Sequence, residues 1–264
     1  MSAFRSAVFS ATTLLLFAAA SANASHLGGE CSAPQEMTRF TVRLPNTGRA
    51  IRSGKAPVIV AIGSSSTSGV GASDSAHTYP ALFAEELRRR WPPFGATVIN
   101  KGVSGEIASQ MLGRFERDVV AYQPQLVIWQ TGSNQALRSG DIEGYGETIR
   151  EGIRRLQAAR LDVVLMDPQF APRVHARPIH LPIVDTISEA AKDMKVALFR
   201  RFAVMRHLIS SGQYKAEDII SSDGLHMNDL SYSCIARLLA DSLIAAVEPG
   251  THGRPRSGDG DASR

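Results

Sequence analysis

Four short segments of this 264-residue sequence carry residues able to do chemistry. Gly63-Ser64-Ser65-Ser66-Thr67-Ser68-Gly69 crowds hydroxyls into a turn of small residues. Such a turn can present one serine as a nucleophile, cradle a phosphate, or simply reverse the chain. A P-loop needs Gly-Lys followed by Ser or Thr, and a dinucleotide loop needs Gly-x-Gly-x-x-Gly; the segment has neither. Asn100-Lys101-Gly102-Val103-Ser104-Gly105-Glu106 has two glycines that let backbone N–H groups face an anion or an oxyanion. A tight turn would use the same residues. Gln130-Thr131-Gly132-Ser133-Asn134 offers the Asn134 amide as a donor to developing negative charge, although asparagine also serves as a cap or turn residue. Asp223-Gly224-Leu225-His226 sets a carboxylate and an imidazole three apart. At that spacing the carboxylate can hold one imidazole tautomer and stabilise its charged form. The chain order Ser, Asp, His then supplies a nucleophile, an orienting acid and a base.

These segments need a scaffold, and the apolar pattern supplies one. Val58–Ile62, Ala96–Asn100, Leu126–Trp129, Val163–Met166 and Val196–Phe199 read as short strands buried on both faces. Helical spacing runs between them over Tyr79–Trp91, Ile107–Tyr122, Asp141–Ala159 (with Asp141 as cap) and Ile179–Met194, then over 201–212 and 229–247. Alternating strands and helices predict an α/β fold with a parallel sheet covered on both faces. In such sheets ligands meet the loops beyond the carboxyl ends of the strands. Three of the four segments follow a strand, and the fourth precedes the last helix.

Taken together, the four segments resemble the SGNH (GDSL-type) hydrolase superfamily over roughly residues 57–247. Gly63-Ser64-Ser65 stands where that family has Gly-Asp-Ser, which implies Ser65 as nucleophile, with Ser64 and Ser66 as neighbouring alternatives. Gly105 matches the oxyanion-hole glycine, and Asn134 the oxyanion asparagine. Asp223-Gly224-Leu225-His226 matches the Asp-x-x-His block, making Asp223 the orienter and His226 the base. The resemblance implies a three-layer α/β/α sandwich on a five-stranded parallel sheet, flavodoxin-like in order. It implies a carboxylic ester hydrolase; nothing in the sequence implies a cofactor, and with no Cys-x-x-Cys, no His-x-x-x-His and dispersed histidines no metal site is expected. Two positions depart from the pattern: Ser64 replaces an aspartate, and Gln135 replaces the aspartate that commonly follows the block-three asparagine. The Gly-x-Ser-x-Gly elbow of the α/β-hydrolase fold is absent. A short acyl ester, such as O-acetyl on a polysaccharide, is the expected substrate. The rivals are a lipid or aryl esterase and a non-catalytic carbohydrate-binding or envelope-assembly module. The loop from Pro168 to Pro182, with His175, Arg177 and His180, reads either as a substrate wall or as a cover for the sheet edge.

The remaining sequence bounds location and partners. Residues 1–24 read as a secretory signal: Arg5 is the sole charge, Ala11–Ala20 is apolar, and Ala22-Asn23-Ala24 suits cleavage after Ala24. The apolar run is far shorter than the roughly 20 residues that span a bilayer, so no stable membrane insertion is expected. Glu30 before Cys31 disfavours a lipoprotein. Export predicts a periplasmic or extracellular protein, where Cys31 and Cys234 can persist as a disulfide if their Cα atoms come within range. The net charge of +4 is spread along the chain, and Arg88-Arg89-Arg90 and Arg154-Arg155 read as solvated helix faces, not a nucleic-acid site. Residues 25–56 read as a lead-in with a strand-like stretch at Phe40–Leu44, 57–248 as the hydrolase domain, and 249–264 as a disordered tail.

Overall fold

The computed structural model describes residues 31–91, 95–138 and 142–247. The expected signal segment, the Asp141 cap and the tail from residue 249 lie outside the described residues. Five parallel strands form one sheet: β1 Val58–Gly63, β2 Thr97–Gly102, β3 Leu126–Gln130, β4 Asp162–Met166 and β5 Ala197–Phe199. Their order is β2-β1-β3-β4-β5. The β-branched runs of β1 and β3 are buried on both faces, with Ile59, Val60, Ile62, Val127 and Ile128 fully inaccessible, whereas β2, expected to be buried likewise, is an edge strand and only partly covered.

Among the described residues six helices of eight residues or more surround it: α1 Pro45–Arg52, α2 Tyr79–Arg90, α3 Ile142–Ala158, α4 His180–Asp193, α5 Arg201–Ser210 and α6 Asp229–Val247. The first crossover runs from β1 to β2, and the later ones run the other way along the sheet. Right-handed crossovers then put α2 on one face and α3 and α4 on the other. α6 packs against α2, and α3 against α4, giving three layers. Among the described residues α6 alone is long and apolar enough to cross a membrane by length and composition. It is a core helix: Tyr232, Ile235, Ala236 and Ala240 on it are fully buried. The direction of strand addition reverses at β1, which opens a crevice beyond the carboxyl ends of β1, β2 and β3. Pairing of Gly63 with Gly102 and of Ile62 with Trp129 brings the loops after those strands side by side.

Two expected elements differ. The single helix over Ile107–Tyr122 is broken into Ala108–Leu112, Phe115–Asp118 and a 3-10 turn at Val120–Tyr122. Gly113 closes the first piece, and Arg114 turns inward to ion pairs with Glu106 and Asp118. Met111, Phe115 and Val119 are nevertheless buried, so the apolar spacing reported the buried face and not the continuity of the helix. Phe40–Leu44 is not a strand. Phe40 and Leu44 are buried and Thr41 and Arg43 exposed, so the alternation is one of burial without pairing.

Residues 31–56 are fastened to the sheet. Cys31 and Cys234 form a disulfide with Cα atoms 5.6 Å apart, tying the start of the described chain to α6. The Asp162 carboxylate accepts from Thr47 N and Thr47 Oγ1, both at 2.8 Å, and from Asn46 Nδ2 at 3.1 Å. It thereby satisfies donors at the start of α1, where the helix dipole also favours negative charge. Burial pushes the Asp162 carboxyl up, and these hydrogen bonds oppose the shift.

Candidate active site

β1 ends in a tight turn, and Ser65–Ser68 form one short helical turn directly after it. Amides at the start of a helical turn have no intrahelical acceptor, so they can serve an external oxygen. Three donors fix the turn to Gln130 at the end of β3. Its Oε1 accepts from Ser64 N at 2.9 Å, Ser64 Oγ at 3.1 Å and Thr67 Oγ1 at 3.2 Å. From below, the turn rests on Gly102. A Cβ there would lie 2.0 Å from Ser68 N, so no side chain fits. Ser64, which occupies the family's aspartate position, is thus a buried anchor. Ser66 is fully buried, with Oγ 3.4 Å from Gln169 Oε1. Within the serine run, Ser65 is the one that meets the histidine.

Ser65 Oγ and His226 Nε2 are 2.8 Å apart. His226 Nδ1 and Asp223 Oδ2 are 2.5 Å apart. Asp223 Oδ1 accepts from Ser221 Oγ at 2.7 Å and from the amides of Leu225 and His226, both at 2.9 Å. Partial burial acts to raise the Asp223 carboxyl. The amide and ring of His226, the Leu225 amide and the Ser221 hydroxyl outweigh it and hold the group far below the usual carboxylate range. Asp223 is therefore a fixed negative charge at neutral pH, and its bond makes Nδ1 the donor and leaves Nε2 to accept from Ser65. The loop is closed by Ser221 N donating to His226 O at 2.8 Å.

Gly105 and Asn134 meet on the other side of the turn. Gly105 has φ of +84°, a conformation open to glycine and strained for most side chains. Asn134 lies in the short helix Ser133–Arg138 and donates through Nδ2 to Glu106 O at 3.0 Å. Its amide carries a second hydrogen for another acceptor. Arg114, 7% exposed, binds the Glu106 carboxylate at 2.7 Å and reaches Gly63 O at 3.2 Å. A hydroxyl contact of 3.1 Å between Ser68 and Ser104 joins the same two loops. All five expected residues thus stand at one sheet edge, three of them in a hydrogen-bonded chain.

Several supporting residues were invisible in the sequence: Gln130, Arg114, Gln169 and Arg201. Gln169 and Arg201 are essentially inaccessible. The one available signal is position, because Gln130 and Gln169 end or follow strands at the edge where chemistry gathers. The segment 168–182 turns out to support the histidine loop: Arg173 N donates to Gly224 O at 3.0 Å, and Gln169 Nε2 to Leu225 O at 3.1 Å. His180 is buried beside Phe202, with Nδ1 2.6 Å from Arg177 O.

Asp167, directly after β4, is buried, and its Oδ1 accepts from Phe202 N at 2.8 Å. Burial pushes its carboxyl up to about 7, against the opposing pull of that amide and of the Arg201 and Arg200 charges. A carboxyl raised on folding contributes stability in full below its unfolded value of 3.8, and loses it as pH rises through about 7. Asp167→Asn keeps the acceptor and cannot ionise. Its melting temperature relative to wild type is therefore expected to improve as pH goes from 5 to 8. A constant difference across that range would contradict the assignment.

A Ser-His-Asp constellation beside a glycine and an asparagine, on a parallel sheet of order β2-β1-β3-β4-β5, defines an ester hydrolase of the SGNH class. The chain belongs to the Non-GDSL lipase-like family, whose profile matches residues 30–249. Thioesterase 1/protease 1/lysophospholipase L1 of Escherichia coli K12 is 25% identical over 196 residues, which is 74% of this chain and 88% of that protein. Among solved structures, a two-domain esterase active on acetylated mannans superposes with a TM-score of 0.68 at 20% identity, covering 81% of this chain. This chain spans 58% of that two-domain protein. An acetylxylan esterase from Geobacillus stearothermophilus gives a TM-score of 0.61 at 20% identity, covering 72% of this chain and 94% of that one.

Proposed function

We propose that the protein is an exported serine esterase that removes short, acetyl-type acyl groups, with a polysaccharide as the favoured acyl carrier. The observation that carries the mechanism is the unbroken chain from Ser65 Oγ through His226 to an ionised Asp223. His226 Nε2 takes the hydroxyl proton as Ser65 Oγ bonds to the ester carbonyl carbon. Negative charge grows on the carbonyl oxygen and is met by the amides of Ser65 and Gly105 and by Asn134 Nδ2. When the carbon–oxygen bond to the alcohol breaks, His226 returns the proton to the leaving oxygen. Water then adds to the acyl-enzyme by the same base, and carboxylate and free Ser65 result. Asp223 keeps its charge throughout and stabilises the imidazolium.

The acetyl esterases among the proteins of similar fold support a short acyl group. The Cys31–Cys234 disulfide supports export, since such bonds persist in oxidising compartments. One observation favours a second reading, an esterase of longer acyl chains. Val70 and Val103 are 40% and 44% exposed and lie in the loops that carry Ser65 and Gly105. Turnover of p-nitrophenyl esters from acetate to decanoate separates the two. The proposal expects kcat/KM to fall with chain length. A rise towards decanoate would move the assignment to lipid-type esters, and no turnover of any ester in wild type would favour a binding module.

A further inference from the structure

Behind three of the four loops that carry the proposed machinery sits one side chain that touches each of those three. Gln169 follows β4 and is 1% exposed. Its Oε1 accepts from Ser133 Oγ at 2.7 Å, from Arg201 Nη2 at 3.0 Å and, more distantly, from Ser66 Oγ at 3.4 Å. Its Nε2 donates to Leu225 O at 3.1 Å. The amide orientation is fixed by the partners, because a guanidinium can only donate and a carbonyl oxygen can only accept. Ser66, Ser133 and Leu225 are the chain neighbours of Ser65, Asn134 and His226. Nucleophile, oxyanion donor and base therefore share one buried reference point, each a single residue away.

We propose that Gln169 is a positioning residue that sets the relative placement of Ser65, Asn134 and His226, with Arg201 holding Gln169 in turn. Arg201 is fully buried. Its Nε donates to Asp167 O at 3.0 Å, so its second donor group points at Gln169 from a fixed anchor directly after β4. No other side chain among the described residues bonds to all three loops. Glutamine suits the place because the site needs an acceptor shared by a hydroxyl and a cation, and a donor to a carbonyl, on one planar group. Neither carboxylate nor amine supplies both. Burial makes these bonds directional constraints, since the low local dielectric strengthens each of them. Small displacements of reacting groups matter: about 1 Å of misplacement can cost on the order of 100-fold in rate.

This inference rests on the proposed triad, and its test separates the two. Gln169→Leu keeps the bulk and removes all of these bonds. It is expected to lower kcat for p-nitrophenyl acetate by about 10- to 100-fold, with KM within about threefold. A fluorophosphonate should label it more slowly by a similar factor, yet to full stoichiometry. Gln169→Glu keeps the acceptor for Ser133 and Arg201 and is expected to recover part of the lost kcat. Should Gln169→Leu not fold, Ser133→Ala removes the shortest arm alone and is expected to lower kcat at least about fivefold with KM unchanged. A folded Gln169→Leu, or failing that a Ser133→Ala, with kcat within twofold of wild type overturns the inference while leaving the triad standing. So does a loss in which KM rises in step with no rescue by glutamate, which marks a packing defect. Full activity in Ser65→Ala removes the triad and this inference with it.

Discussion

Replacing Ser65 with alanine is expected to lower ester hydrolysis by on the order of 10⁴- to 10⁶-fold and to leave the melting temperature nearly unchanged. The substitution removes one oxygen, whose hydrogen-bond partner is His226 Nε2. No packing is lost and no fully buried group is orphaned, so the fold has little reason to respond. The chemistry has every reason to, because no acyl-enzyme can form. The neighbouring serines cannot substitute. Ser64 is 2% exposed with Oγ on Gln130, and Ser66 is fully buried with Oγ towards Gln169. Either would need the turn to unwind before reaching an ester. Initial rates with p-nitrophenyl acetate beside thermal melts check this, and residual activity above a tenth of wild type would point to another nucleophile.

The second large effect belongs to Asn134. Removing one oxyanion donor typically costs on the order of 10²–10³ in turnover, or about 3–4 kcal/mol. Asn134→Ala is expected to fall in that range with KM little changed, because the donor is needed when charge develops and not when the ester binds. Asn134 also donates to Glu106 O at 3.0 Å, beside Gly105, so the substitution frees part of the second oxyanion element too. Asn134→Asp should be worse than alanine. Its carboxylate has no hydrogen to donate and places negative charge where the transition state already carries it. The check is a kcat and KM comparison of the three proteins. A KM that rises at constant kcat would mark Asn134 as a ground-state binding group instead.

The sequence carried the scaffold well where burial is two-sided and apolar. The strand over Val58–Ile62 and the helix over 229–247 are read from runs of β-branched and apolar residues. Pattern failed where one residue type has two uses. Met111, Phe115 and Val119 keep helical spacing through a segment that Gly113 and an inward Arg114 break into pieces. Phe40 to Leu44 alternates like a strand because it lies along the domain surface with every other side chain turned in, yet no strand among the described residues pairs with it. At the site, the Asp223–His226 pairing was legible in types and spacing, whereas Ser65 was singled out of its serine run by the family resemblance. Gln169, Gln130 and Arg201 were not, because a polar residue in a sequence looks solvent-facing. Only the fold shows that these side chains are buried, that Gln130 Oε1 and both polar atoms of Gln169 bond to the loops of the site, and that Arg201 Nη2 bonds to Gln169. Gln130 and Gln169 do share one hint, a place at the carboxyl edge of β3 and β4.

The most direct test of the central claim is to react the wild-type protein with a fluorophosphonate and locate the adduct by peptide mass spectrometry. The account predicts one phosphonyl group per chain, on Ser65, with labelling lost in Ser65→Ala and strongly slowed in His226→Ala. An adduct on Ser64 or Ser66, or a wild-type protein that hydrolyses esters yet takes up no label, would contradict it.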